Sequence, residues 1–265
     1  MSRSLRALIF CAALMAAAAN AGAGADAGDS EKFPVRWSAS LGLQSLDDIE
    51  RRQRQPLWSA AGIVLAHKWR YSGIGNAHEP VGPRRLVSCA YYWGADHRLY
   101  KTASESDHFL LADFAATCVA LKALKLARPA RQSFIAELRL DETAADALPA
   151  MLDIAVNPAE RDEIEQAGAK GLSWRQSRAS QGAVLISVRR KHDSAALFEW
   201  TRGKSLVEFL ARGDFNGDGI EDLLLHISQW PGYGHGAKVK ALLVTRYRRG
   251  AVMQVLAWPL AKHLS

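Results

Sequence analysis

The sequence predicts an α+β protein: a mixed helix/strand N-terminal part followed by a C-terminal antiparallel β-meander. Two patterns lead to that class. Up to residue 172, helix-period apolar stripes alternate with short strand-like runs, whereas from residue 183 apolar runs of strand length follow one another across short turns. Short connections pair consecutive strands antiparallel, and one of these hairpin turns is unusually dense in acid and glycine. Three segments result: residues 1–23, a mixed region over 24–172 and an antiparallel region over 173–265.

Residues 1–23 read as a secretory signal. Arg3 and Arg6 form a positive start, residues 7–19 are apolar, and Ala19-Asn20-Ala21, Ala21-Gly22-Ala23 and Ala23-Gly24-Ala25 each offer an A-x-A cleavage pattern. The apolar run is too short for a bilayer, and no later stretch reaches the roughly 18 apolar residues of a transmembrane helix. The expectation is therefore a periplasmic or secreted chain without a membrane span once the signal is cleaved, and Cys11 leaves with that segment. A content of 49% hydrophobic and 23% charged residues is ordinary for a globular core and surface. The net charge of +7 falls to about +5 without Arg3 and Arg6. That mild excess suits an anionic cell-wall polymer or an acidic envelope protein, though solvated surface charge explains it as simply, and no nucleic-acid motif is present. Cys89 and Cys118 remain as an even pair in an oxidising compartment, which invites a disulfide; two buried free thiols are the alternative.

In the mixed region a helix opens at Ser45-Leu46-Asp47-Asp48, with Ser45 as cap and Asp48 near the positive amino end, and stops before Pro56. Residues 63–69 read as a strand, 73–83 as a loop rich in glycine and proline, and 86–93 as a strand again. The longest helical candidate is 107–127, where Leu110, Phe114, Cys118 and Leu121 share a stripe that Leu111 and Leu124 widen. A Cys89–Cys118 bridge would then staple helix to sheet. Residues 133–140 alternate as a strand, and 143–152 read as a helix interrupted at Pro149. At Asn157-Pro158-Ala159-Glu160 a helix starts with Asn157 as cap and Pro158 in the first turn; its acidic residues Glu160, Asp162, Glu163 and Glu165 form a solvated face. The meander comprises strands at 183–190, 195–200, 206–211, 222–228, 239–247 and 252–258.

The acidic hairpin turn is the stretch Arg212-Gly213-Asp214-Phe215-Asn216-Gly217-Asp218-Gly219-Ile220-Glu221-Asp222-Leu223-Leu224-Leu225. Oxygen-bearing side chains recur at every second position, and a hard divalent cation needs six to eight such oxygens at short range. Asp214, Asn216 and Asp218 occupy positions 1, 3 and 5; Gly219 permits the turn, Ile220 offers its carbonyl, and Asp222 closes the shell directly or through water. Without a cation the three carboxylates repel one another. A metal-free Asn-Asp-Gly turn is the simpler alternative. Position 12 is Leu225 where a helical calcium hand requires glutamate, and the flanks are strand-like, so a helix-loop-helix hand is not expected. The segment resembles the FG-GAP or VCBS-type repeat, in which a G-D-x-[DN]-G-D-G-x-x-D loop joins two strands and binds calcium. The resemblance covers about residues 205–247 and implies Ca2+ at Asp214, Asn216, Asp218, Ile220 and Asp222. A single copy is present, so a propeller of repeated units is not expected.

Other chemistry is sparse. Gly203-Lys204-Ser205 imitates a phosphate loop, but Phe198 stands where its first glycine belongs; Arg212-Gly213-Asp214 spells an adhesion tripeptide whose aspartate already serves the acidic turn. Neither G-x-S-x-G nor H-E-x-x-H occurs, and the histidines are scattered, with His226 on the strand face of Leu224 and Ser228. The glycine-rich loop 230–236 displays Trp230, Tyr233 and His235 as candidate ligand contacts, or packs on its own aromatics. The function expected is an exported, non-enzymatic binding protein with a structural calcium loop. The alternatives are an envelope hydrolase drawing on loop 73–83, and a calcium-stapled structural or toxin-neutralising component.

Overall fold

The computed structural model describes residues 33–55, 64–67, 84–85, 88–94, 100–102, 105–232 and 237–256, all within one compact unit spanning 31–265. The signal segment, loop 73–83, Tyr233 and His235 lie outside the described residues. In chain order the elements are β1 (Arg36–Trp37), α1 (Ile49–Arg54), β2 (Val64–His67), β3 (Arg84–Arg85), α2 (Cys89–Gly94), β4 (Tyr100–Thr102), α3 (Glu105–Leu124), α4 (Ala144–Ala147), α5 (Pro158–Ala169), α6 (Trp174–Ser180), β5 (Leu185–His192), β6 (Ala195–Trp200), β7 (Gly203–Gly213), β8 (Asp222–Pro231), β9 (Lys238–Thr245) and β10 (Gln254–Val255). The α+β class is the observed one.

The strands β10-β9-β8-β7-β6-β5 lie side by side and antiparallel, and β1 joins them by pairing Arg36 with Arg212 and Trp37 with Ala211. Strands β3, β2 and β4 form a separate small sheet. At the centre, every residue of β8 from Asp222 to Gln229 is buried, because helices cover both faces of the sheet. On one face Leu224, Ala211 and Leu243 meet Phe114, Leu121 and Leu124 of α3, joined by Ile49 of α1 and Tyr92 of α2. On the other, Leu223, Leu225, Ile227, Val207 and Phe209 meet Leu148, Leu152 and Trp174. Trp174 is fully buried, with its ring centroid 5.1 Å from that of Phe198 and 4.9 Å from that of Trp200. The period-2 pattern of β8 thus separates two cores.

Several local expectations are met and several corrected. Asp48 accepts from the Ser45 and Gln44 amides at 3.2 Å each, and Asn157 accepts from the Glu160 amide at 2.9 Å above a first-turn Pro158. The Cys89 and Cys118 sulfurs are within bonding distance, with Cα atoms 5.3 Å apart. Cys89, however, opens helix α2 instead of lying in a strand, so the bridge joins α2 to α3. Residues 133–140 form no strand: the Leu138 amide donates to the Ile135 carbonyl in a turn, and the Ile135 and Leu138 carbonyls both accept from Arg212. Helix α6 falls at the head of the region read as all strand, capped by Ser173, which accepts from the Gln176 amide at 3.2 Å.

The disulfide joins two fully buried cysteines 29 residues apart in sequence, a loop length for which chain entropy supplies about 3–4 kcal/mol. Mass analysis of the protein purified without reductant should find Cys89 linked to Cys118, and the double serine variant should lose roughly that stability in urea; two free thiols would refute the staple.

Candidate metal centre

The acidic turn joins β7 to β8, the two central strands, and the Gly213–Asp222 pair closes the hairpin beneath it. Asp214 is only 4% exposed and folds the turn around itself: one oxygen accepts from the Gly217 amide at 2.6 Å, the other from Gly219 at 2.8 Å. Both glycines have positive φ (84° and 83°), which side-chain-bearing residues rarely adopt. Asn216 Oδ1 accepts from the Asp218 amide at 3.0 Å, and Asp218 Oδ1 accepts from Ile220 at 2.8 Å. Asp222 Oδ2 accepts from the Phe215 amide at 2.9 Å across the mouth of the loop. The alternate-position oxygens therefore wind the backbone into successive side-chain turns.

A second segment straps the turn from outside. Asp214 and Arg128 exchange both main-chain bonds at 2.8 Å, the Gly219 carbonyl accepts from the Arg131 and Gln132 amides, and the Glu221 amide donates to Gln132 at 2.7 Å. Beneath the strap lies fully buried Glu221, which accepts from Arg36 Nη2 at 3.0 Å and from Ser133 Oγ at 2.5 Å. Arg212 completes this network: it donates to the Ile135 and Leu138 carbonyls at 2.9 and 3.1 Å, while burial pulls its pKa down and the charge of Glu221 opposes that. Sequence reasoning passed over Glu221; its local signal was a carboxylate at the start of an otherwise apolar strand.

Asp222 is the unresolved charge of the turn. It is fully buried, and its Oδ1 has no hydrogen-bond partner among the described residues. Burial raises its pKa to about 6; the Thr245 hydroxyl and the Phe215 amide pull the other way, and the charges of Asp218 and Asp214 raise it further. The Thr245 hydroxyl lies beside Asp222 without completing a well-aligned bond. Among the described residues no three His, Cys, Asp or Glu side chains converge closely. The donor set is nevertheless suited to a hard cation. An ionised carboxylate oxygen bonded to one amide keeps a further lone pair, the Ile220 carbonyl takes no main-chain donor among the described residues, and Asp222 Oδ1 is an acceptor without a donor. Asp214, Asn216, Asp218, the Ile220 carbonyl and Asp222 are the groups that would hold the ion. Arg131 stands beside Gly219 but makes no ion pair with these carboxylates.

Of the candidate ligand contacts Trp230, Tyr233 and His235, only Trp230 lies among the described residues. Trp230 is half-buried, its ring centroid 6.2 Å from that of Phe109 and 5.6 Å from the Lys204 ammonium, so it packs on its own surroundings. His226 faces α3 as its alternation predicts, with Nε2 3.0 Å from Asp113 Oδ1 but outside hydrogen-bonding alignment.

A polar hub on the opposite face was also passed over. Asp153 Oδ1 accepts from Trp174 Nε1 at 2.9 Å, Arg178 Nε at 2.7 Å and Gln229 Nε2 at 2.8 Å. The Lys240 ammonium is enclosed by the Met151 and Asp153 carbonyls, although its stem is partly exposed. This hub holds the helical layer to β8 and β9. Its bonded partners lie between 21 and 89 residues apart, and Asp153 reads locally as an ordinary loop acid.

No protein-family model, curated protein or solved structure matches the chain.

Burial lowers the Lys240 pKa from 10.5 to about 8, partly offset by the charge of Asp153. Between those values the unfolded chain holds a proton that the folded chain has released, so stability rises with pH. Relative to Lys240→Gln, the wild type should gain unfolding free energy from pH 8 to pH 10 in urea titrations; a constant difference would mean that the ammonium is hydrated in the folded protein.

Proposed function

We propose that the protein is an exported, non-enzymatic binding protein whose β7–β8 turn takes up one structural calcium ion. The observation that carries this reading is Asp222: a fully buried carboxylate with an unpartnered oxygen, next to two further acids in a turn whose spacing is that of calcium loops. Burying a carboxylate with only one oxygen bonded is unfavourable, and a divalent cation would offset both the desolvation penalty and the repulsion from the neighbouring acids. The ion's task in this reading is stabilising. It locks the turn between the central strands and, through the 128–133 strap, the surface beside it. Calcium outside the cytoplasm is abundant enough to fill even a weak site. The mild basic excess and the resemblance of the turn to envelope-protein repeats favour an anionic cell-wall polymer or an envelope protein as the partner.

Thermal melts with chelator and with millimolar calcium test the reading. At a hundredfold excess over its dissociation constant the ion adds about 2.7 kcal/mol, which for a chain of this length raises the melting temperature by about 5 °C or more. Asp218→Ala, at an exposed position, should abolish the rise; loss of the acceptor for the Ile220 amide should lower its melting temperature in chelator as well, by an amount that does not depend on calcium. Equal rises in both proteins, or none in either, would overturn the assignment, and a pull-down from envelope extract under both conditions identifies the partner.

A further inference from the structure

Beside the candidate metal turn, a groove of about 370 Å3 runs between residues 133–147 and the β9–β10 turn at 246–250. That volume lies in the range of small-molecule sites. The groove and the turn share a wall. Ser133 at the groove donates to Glu221, Arg246 directly follows the Thr245 that flanks Asp222, and the charges of Asp218 and Asp222 contribute to raising the Tyr247 pKa behind burial.

The charged groups of the lining are unevenly engaged. Asp141 accepts from the Thr143 amide at 2.9 Å and its hydroxyl at 2.6 Å, and Asp146 is paired with Arg175, which approaches from outside the groove at 2.9 Å. Glu137 is the one acid of the lining without such a partner among the described residues. Three guanidinium groups also line the groove. Arg139 and Arg249 are exposed and have neither ion pair nor hydrogen bond among the described residues; Arg246 makes one long contact of 3.4 Å to the Phe134 carbonyl, and its Nε is buried without an acceptor. Guanidinium stays charged at any physiological pH and presents a planar fork of donors that matches carboxylate and phosphate oxygens. With Asp146 paired to Arg175 from outside, three guanidinium groups remain against the two carboxylates Glu137 and Asp141, a net positive charge in a half-enclosed groove that is complementary to an oxyanion.

We propose that this groove binds a small ligand bearing carboxylate or phosphate groups, held by Arg139, Arg246 and Arg249, with Phe134 and Leu138 against its apolar part. The proposal deepens the binding-protein reading by supplying its ligand class, and its site does not include Trp230. Docking next to the strap also means that an ion in the turn would steady one wall of the groove.

The test is calorimetric titration of the mature protein at low salt, with and without calcium. The probes are trigalacturonate for carboxylate, glycerol 2-phosphate for phosphate and maltotriose as the neutral control. One or both anionic probes should bind where maltotriose does not, and the arm that binds identifies the oxyanion. Affinity should fall by about tenfold or more in the Arg139→Gln/Arg249→Gln variant and should weaken in about 0.5 M salt. Both substituted side chains are exposed and unpaired, so a melt of the variant should match the wild type. Binding of neither anion, or equal binding by the variant, would overturn the groove. A calcium-dependent melting shift that persists in that case would leave the metal reading standing, which separates the two failures.

Discussion

The pairing of β7 with β8 is the interaction on which the rest of the structure depends. β8 is buried on both faces from Asp222 to Gln229, and each helical layer packs on one of its two alternating sets of side chains. A one-residue slip in its register would exchange the sets and turn the faces meant for α3 and Trp174 over to the wrong cores. The turn that closes this hairpin therefore helps set the register of the whole sheet. Its geometry is held by side-chain oxygens bonded to main-chain amides and by the 128–133 strap. Burying Asp222 beneath that turn with one oxygen lacking a donor is costly by itself, a cost that the proposed cation would remove.

Charges elsewhere in the sheet are handled by pairing. Glu221 is enclosed by Arg36 and Ser133 with Arg212 near, and Asp153 by Trp174, Arg178 and Gln229. Each cluster ties residues distant in sequence to one end of a strand: the first secures β1 and the strap around the β7–β8 turn, the second fixes the α6 layer over the far end of β8. Buried ionic networks of this kind contribute less to net stability than to holding a single arrangement of the elements. Asp153 Oδ2 and Asp222 Oδ1 are both left without a donor among the described residues; Asp222 differs in having no ion pair there, where Glu221 has Arg36 and Asp153 has Arg178.

Much of this was legible in the sequence because it follows from local periodicity. The alternation of Leu223 to Ile227 places His226 on the face of Leu224 and Ser228, which in the structure meets α3; the stripe of Phe114, Cys118 and Leu121 marks a core helix, and Asn157-Pro158 marks a helix start. What was missed rests on contacts with no local trace. Nothing near Glu221 announces Arg36, which is 185 residues away. Nothing near Asp153 announces Gln229, 76 residues on. Residues 133–140 alternate like a strand, yet their carbonyls serve Arg212. Helix α6 could have been found, since Ser173 and Gln176 have capping-box spacing, but the apolar run that follows outweighed it. The arginine groove joins residues 133–147 to 246–250 and was invisible for the same reason.

The central claim is that the β7–β8 turn is a calcium site, and equilibrium dialysis of the mature protein against labelled calcium, run beside Asp222→Asn, tests it most directly. The account predicts one bound ion per chain for the wild type and weakened or lost binding for the variant. No bound ion at millimolar calcium, or one bound equally by both proteins, would contradict it.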